Sequence, residues 1–482
     1  MKKILVILIP MICLGQIVWE NEVIDSVYMD NYHYLFNSMA LDTSGIPCVV
    51  YNTGGFDTIM FAWQTDSGWQ KEVVESGLCY YGFSLSIDHS NIVHLSYYRR
   101  DESLDMTYHC HGRRDSTGWQ IEYVDSTAGY LGNYFLSITS SIDLDTAGLP
   151  GIAYISWNVE DSLHYIKYAH YNGVTWDTSV VEYDSAYANM QTGPTDYSPS
   201  LKFSSKNIPH IAFYHVYALY HADTLKLAHY DENLDNWVVD TVHSEIYAGI
   251  PISLALNNQD YPSIAHGYNA GLAYTWWNGS AWNTDYGIAS IGWLETRIRL
   301  ALDSNDQPHI LYNHWGVVFP RYCYKDTFWH MCGPVEPDSL GYDCSGTDLN
   351  LAFDHNDQPH ISYKFSRMDP QSMVGFKYAK GTFVGINEDA RYRIQDTRFK
   401  LEVFPNPCLG LLNIEYVLQK PGAVEISIYD VAGARKKSIP HEAQPSGFYQ
   451  EKLDIRNFTS GVYFIVLKQD NEKVSKKFLL IK

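Results

Sequence analysis

The sequence predicts an all-β protein: a seven-bladed β-propeller of four-stranded blades, followed by a small immunoglobulin-like β-sandwich. Three observations predict it. Aromatic residues make up 15% of the 482 residues, with 39 tyrosines, and Tyr, Trp, Val and Ile favour strands. One line, LALDSNDQPHILY at Leu300–Tyr312 and LAFDHNDQPHISY at Leu351–Tyr363, recurs along the chain. After residue 385 that line stops and a different set of alternating strands begins.

The recurring line has seven copies, and its first polar position is Asp42, Asp88, Asp145, Ser204, Asn257, Asp303 and Asp354. A period of about 50 residues with β character marks propeller blades. Each unit divides into four strands. The first ends at the Asp, the second is the PHILY segment, the third is Tyr-rich, and the fourth starts at a Trp. Trp69, Trp119, Trp176, Trp237, Trp282 and Trp329 hold that last slot, and Phe383 is expected to hold it in the seventh unit. At the other end, WENEVIDS (Trp19–Ser26) reads as a fourth strand with no first three before it. It is a candidate to close the ring and remove an exposed sheet edge. Phe383–Asn387 competes for the same place.

The start of the chain, MKKILVILIPMICLGQ, has Lys2 and Lys3 before an apolar run, with Cys13 and Gly15 suitably placed for cleavage before Gln16. Residues 1–15 therefore read as a secretory signal peptide, too short for a membrane span. Seven cysteines follow, an odd number. Cys332 with Cys344 is the expected disulfide, because the two bracket one loop. No spacing suggests a zinc site, and no cofactor is expected. A net charge of −21 argues against a nucleic-acid partner.

An Asp and a His six residues apart invite a catalytic reading. However, Ser204 and Asn257 replace the Asp in two units, as an Asx-type turn tolerates and a catalytic carboxylate does not. The His position (His94, His210, His309 and His360) is Cys48, Gly151 and Ser263 elsewhere, so half-buried strand histidines are expected. Asp303, Asn305 and Asp306 do not follow calcium-loop spacing. Two residues before the turn Asp the strand is mostly Ala or Ser, with Asp143 and Lys202 as exceptions on consecutive units. These two, and Arg297 with Asp348, are expected to pair between blades near the channel. Arg299 is the charge this pattern leaves unexplained.

The turns between strands three and four, such as YNGVTW at Tyr171–Trp176 and DSGW at Asp66–Trp69, are hairpin turns in which Gly takes positive φ. The arrangement resembles an eroded Asp-box hairpin of sialidase-like propellers. That resemblance implies a sialidase-like glycoside hydrolase as the alternative function, although no Arg-Ile-Pro signature is present. A meander puts the repeated turns at one end of the propeller and the variable loops at the other, where binding residues collect on a rigid scaffold. The candidates there are Arg99, Arg100, Trp157, His215, Trp293, Arg299, His314, Trp315 and Arg367. Neighbouring loops are expected to carry Tyr80 and Tyr81. Aromatics among Arg, Asn and carboxylates suit an extracellular glycan or protein ligand. No catalytic residue is assigned.

Residues 386–401 read as a charged linker. Residues 402–482 contain strand patterns separated by Pro-Gly, Ala-Gly and Ser-Gly turns. Phe404, Pro405, Asn406 and Pro407, then ISIYDVAG with Tyr429, Asp430 and Gly433, then GVYF with Gly461 and Tyr463, and a Lys-rich last strand, follow in order. This segment closely resembles the type A C-terminal sorting domain of the type IX secretion system. The resemblance implies export across the outer membrane, with the secretion machinery as partner, followed by release or surface attachment.

Overall fold

The computed structural model describes residues 17–28, 36–53, 57–128, 140–158, 163–184, 199–215, 223–246, 252–268, 271–291, 297–314, 317–335, 342–343, 349–367, 373–383, 400–404, 408, 410–418, 422–431, 433–444, 447–469 and 472–481. Seven antiparallel sheets follow one another around a central channel; six have four successive strands each, and the seventh has five, taking its outermost strand from the N-terminal segment and adding the short pair Tyr342–Asp343 beside Pro359–Arg367. Blade 1, for example, runs Asn37–Leu41, Pro47–Asn52, Thr58–Thr65 and Gly68–Ser76. The innermost strands lie side by side around the channel, and Leu349–Phe353 of blade 7 meets Asn37–Leu41 of blade 1, which closes the ring.

The outermost strand of blade 7 is Ile17–Tyr28, paired antiparallel along Met373–Phe383. The N-terminal segment therefore takes the contested place. Phe383 is not the start of a fourth strand but the end of the third, opposite Ile17. The fit is tight: a Cβ on Gly375 would collide with the Asp25 carbonyl, and one on Gly381 with Ile17 and Trp19. The strand also reaches blade 1, where Asp25 Oδ1 lies 2.7 Å from Lys71 Nζ and Asp25 Oδ2 accepts the Tyr51 hydroxyl at 2.6 Å.

The repeated Trp is explained by contact between blades. Its ring packs edge-on against an aromatic ring on the third strand of the preceding blade: Trp69 on Tyr378, Trp119 on Phe61, Trp176 on His111, Trp237 on Tyr168, Trp329 on Tyr274 and Trp19 on Tyr322, with centroids 5.0–5.6 Å apart. T-shaped pairs of this kind add to the energy of area burial. The indole N–H then donates to the outer strand of that preceding blade, from Trp69 to Glu22, Trp119 to Glu72, Trp176 to Glu122, Trp237 to Ser179 and Trp329 to Asp285.

The Asp position of the repeat is a turn residue in all seven blades. Asp303 Oδ1 accepts the amides of Asn305 and Gln307 at 2.9 and 2.8 Å, and Asp354 Oδ1 does the same for Asn356 and Gln358. Ser204 and Asn257 make the equivalent bonds with Oγ and Oδ1. Three residues on, the backbone turns left-handed, with φ between 56 and 79° at Gly45, Asn91, Gly148, Asn207, Asp260, Asp306 and Asp357. Only Gly, Asn and Asp visit that region cheaply. Where the residue has a side chain, it accepts an amide from the preceding blade in five of the seven junctions: Thr43 to Asn91, Thr146 to Asn207, Ser205 to Asp260, Asn258 to Asp306 and Ser304 to Asp357.

Three of the four strand histidines are more buried than expected: His94, His309 and His360 are 4% exposed or less, while His210 is half-buried. His94 Nδ1 lies 3.1 Å from His111 Nε2, whereas His309 and His360 each stand between their own turn Asp and a neighbouring tyrosine. His360 Nε2 lies 3.3 Å from Asp354 Oδ2, and its Nδ1 lies 2.7 Å from the Tyr378 hydroxyl. His309 likewise spans Asp303 and Tyr322, at 3.6 and 2.7 Å. An Asp–His–Tyr chain could transfer protons, but here it is sealed between blades. Burial holds both imidazoles below the usual histidine range, against the opposing pull of the carboxylates.

The C-terminal segment forms two further sheets. Lys400–Phe404, Leu411–Leu418 and Gly447–Asp454 make one, and Arg435–Gln444, Gly422–Asp430, Gly461–Gln469 and Glu472–Leu480 the other. Leu412, Ile414, Ile426, Ile428, Ile465 and Leu467 fill the space between them, as expected of a sandwich. Its Tyr-Asp-Val-Ala-Gly turn repeats the propeller's device: Asp430 Oδ1 accepts the Ala434 amide at 2.9 Å, and Gly433 is left-handed.

Candidate functional site: the central channel

A strand at the inner edge of a blade has amides that no further strand satisfies. Here the edge is closed by serines four residues before the turn position. Ser38, Ser84, Ser141, Ser200 and Ser253 each accept, on Oγ, an innermost-strand amide of the following blade: Leu85, Ile142, Leu201, Leu254 and Leu300, at 2.9–3.0 Å. All five serines line a channel cavity of about 170 Å³, and a hydroxyl that accepts one bond still has a hydrogen to donate. In blade 7 the equivalent residue is Asn350, which donates to Asn37 Oδ1 at 2.7 Å and to Ser362 Oγ at 3.1 Å. Sequence reasoning missed this ring. Its signal was the serine four residues before the turn in five units.

Blade 6 departs from the rule, because Arg299 stands at the serine position and its Nη1 donates to the Ile298 carbonyl at 3.1 Å. A guanidinium has donors only, so it cannot accept the Leu351 amide as the serines accept theirs. Arg297, two residues earlier and so on the same face of the strand, also lines the cavity and is 5% exposed. Lys202 is the third cation of the lining, and it sits 3.3 Å from Asp143 as the sequence implied. Asp143 also accepts the Phe203 amide at 2.8 Å, replacing a serine-type bond. The partner expected for Arg297, Asp348, lies outside the described residues. Among the described residues, no carboxylate lines the cavity. Residues 402–482 hold 11 Lys/Arg and 9 Asp/Glu, so the rest of the chain carries −21 − 2 = −23. The cationic lining therefore lies within a strongly acidic propeller.

The structure disperses the other candidates. Arg99 and Arg100 are not in a loop but on the second strand of blade 2, Val93–Asp101. Arg99 pairs with Glu75 at 2.8 Å and lies over the Tyr123 ring, and the buried Arg100 pairs with Asp105. Tyr80 and Tyr81 are core residues of the innermost strand of blade 2, 0% and 3% exposed. The apolar alternation around them continues further upstream than the repeat suggested. Trp157, His215, His314 and Arg367 occupy the loop-side ends of second strands. Trp293 and Trp315 lie outside the described residues, as do Cys344 of the expected disulfide and Pro405, Asn406 and Pro407 of the tail. Phe404 ends the strand Lys400–Phe404. Tyr429 and Asp430 end Gly422–Asp430. Gly461 opens the next strand of that sheet, and Tyr463 is buried against Phe478.

Residues 402–482 match the secretion system C-terminal sorting domain. The tail directs the chain through the type IX secretion system to the cell surface or the extracellular space. No curated protein matches the chain. Among solved structures, the chain is similar to an α-L-arabinanase of Penicillium chrysogenum in complex with arabinobiose, at 11% identity and a TM-score of 0.40 over 63% of this chain and 93% of that one. It is also similar to an α-L-arabinofuranosidase of Fusarium graminearum in complex with an iminosugar inhibitor, at 9% identity and a TM-score of 0.36 over 77% and 97%. A fungal alcohol oxidase in complex with copper gives 10% identity and a TM-score of 0.41 over 98% and 100%. Likenesses at this level bear on neither activity nor ligand.

Proposed function

We propose that this secreted propeller binds an extracellular ligand, a glycan or a protein segment, at its loop-rich end, and that a carboxylate of the ligand enters the channel mouth. The observation that carries this reading is Arg299. Five blades place a serine at that position and use it to close the ring, whereas blade 6 gives up that bond for a guanidinium. Arginine suits planar recognition of a carboxylate. Arg297 on the same face, the serine hydroxyls and Asn350 supply further donors. The innermost strands run from the loop-rich end to the turn, so Arg297 and Arg299 lie toward the variable loops rather than the repeated hairpins. Glycosidic cleavage uses a pair of carboxyl groups, and no carboxylate is among the described residues of the channel lining. Arrays of glycans with and without uronic or sialic acid, and of acidic peptides, test the reading. Selective capture of carboxylate-bearing members that weakens with salt is expected. Capture indifferent to the carboxylate would count against it.

A further inference from the structure

We propose that a second cleft, at the hairpin end between blades 5 and 6, binds a neutral saccharide. This site is independent of the channel reading. The cleft measures about 250 Å³, small for a drug-sized ligand, whose pockets start near ~300 Å³, but suited to one or two sugar rings. Two positions shape it. Ser263 occupies the strand position that is histidine in four blades, leaving space opposite Trp276. Gln307 occupies a register that is Ile46, Ile92, Leu149 and Ile208 in blades 1 to 4, placing an amide where those four junctions have an aliphatic side chain; of the remaining blades, blade 5 has Tyr261 and blade 7 has Gln358.

The lining has the chemistry a sugar needs. Tyr261, Tyr274, Trp277, Leu302 and Pro308 give the lining its apolar surface, and Asp306, Gln307, Lys325 and Asp326 give polar walls. Asp306 Oδ1 accepts the Asn258 amide at 2.9 Å. Its counterparts Asp260 and Asp357 also receive a serine hydroxyl on Oδ2, from Ser205 and Ser304 at 2.6 Å. Asn258 stands where those serines would be, so Asp306 Oδ2 accepts no hydrogen bond among the described residues and is available to a ligand hydroxyl. A cationic ligand is disfavoured because its seat is filled: Lys325 Nζ lies 4.6 Å from the Trp276 ring centroid and is held by Asp285 at 2.6 Å. An anionic ligand would meet the Asp306 and Asp326 carboxylates. A neutral polyol with an apolar ring face fits both constraints.

The test is ligand-observed NMR with the full chain and methyl glycosides of neutral hexoses, pentoses and 6-deoxyhexoses at millimolar concentration. Saturable binding of at least one glycoside is expected, with its dissociation constant raised at least 10-fold by Gln307→Ile. That variant restores the residue type of other blades and so keeps the fold. Asp306→Asn retains the left-handed turn and the Asn258 bond, since Asn91 and Asn207 occupy this position in blades 2 and 4, and is expected to weaken binding several-fold. Arg299→Ser should leave it unchanged. Absence of saturable binding, unaltered binding in both cleft variants, preferential binding of trimethyl-lysine peptide, or loss of glycoside binding in Arg299→Ser alone would each overturn the proposal.

Discussion

The turn end of the propeller and its channel are built from the same innermost strands, yet they treat exceptions differently. At the turn, Asp gives way to Asn257 or Ser204 and the bonds survive unchanged. In the channel, serine gives way to Arg299 and the bond type is lost. Substitution that preserves a bond marks scaffold, whereas substitution that abandons one marks a site whose chemistry has another purpose. The Asp and His of the repeated line thus belong to the scaffold despite their catalytic look, and the proposed ligand contact lies at an arginine four residues upstream.

The largest way to break the scaffold is at ring closure. Gly375→Val should drive a side chain into the Asp25 backbone, detach the Ile17–Tyr28 strand and expose an open edge. Overpacking costs of about 1–3 kcal/mol are a lower bound here, and calorimetry should show a depressed or split unfolding transition. An unchanged transition would mean that the N-terminal strand does not close the ring.

Acid should act next. Burial pushes His94 and His266 down to about 4 and His109 to about 3. An unfolded chain takes up these protons below pH ~6.5, while the folded one resists until pH 3–4. Stability is therefore full above pH 6.5 and falls as pH drops toward 4, by up to ~1.4 kcal/mol per pH unit per histidine. The urea midpoint should be lower at pH 5 than at pH 7.5, and His266→Gln should flatten the difference. A midpoint that holds or rises on acidification contradicts the buried neutral assignment.

Within the turn, the effects should grade by bond loss. Asp303→Ala leaves two amides without their acceptor and should cost about 2 kcal/mol, whereas Asp303→Asn should cost little because Asn257 already does this work in blade 5. Equal losses for the two variants would point to a role for the negative charge itself. The smallest stability change is expected for Arg299→Ser, which restores the ring residue and should leave the melting temperature within about 2 °C.

Blade number, strand assignment and the turn role of Asp were legible in the sequence because each rests on a short, local pattern repeated seven times. Closure was legible only as a choice between Trp19–Ser26 and Phe383–Asn387, since the decision lies in backbone clearance at Gly375 and Gly381. The depth of burial of His309 and His360 was not legible, because it depends on Tyr322 and Tyr378 arriving from the third strand. The serine ring was hidden for a similar reason: each bond joins residues about 50 positions apart, and a serine beside an apolar strand reads as filler. Arg99 and Arg100 looked like loop residues because a strand that continues in charged residues loses its alternation.

The central claim is that blade 6 gives up a scaffold bond in exchange for ligand recognition. Calorimetric titration of the carboxylate-bearing ligand that binds most tightly on the arrays, against the wild-type chain and Arg299→Ser at matched melting temperature, tests it most directly. The account predicts at least a 10-fold loss of affinity in the variant, together with a weaker salt dependence. Equal affinity and equal salt dependence in the two proteins would contradict it.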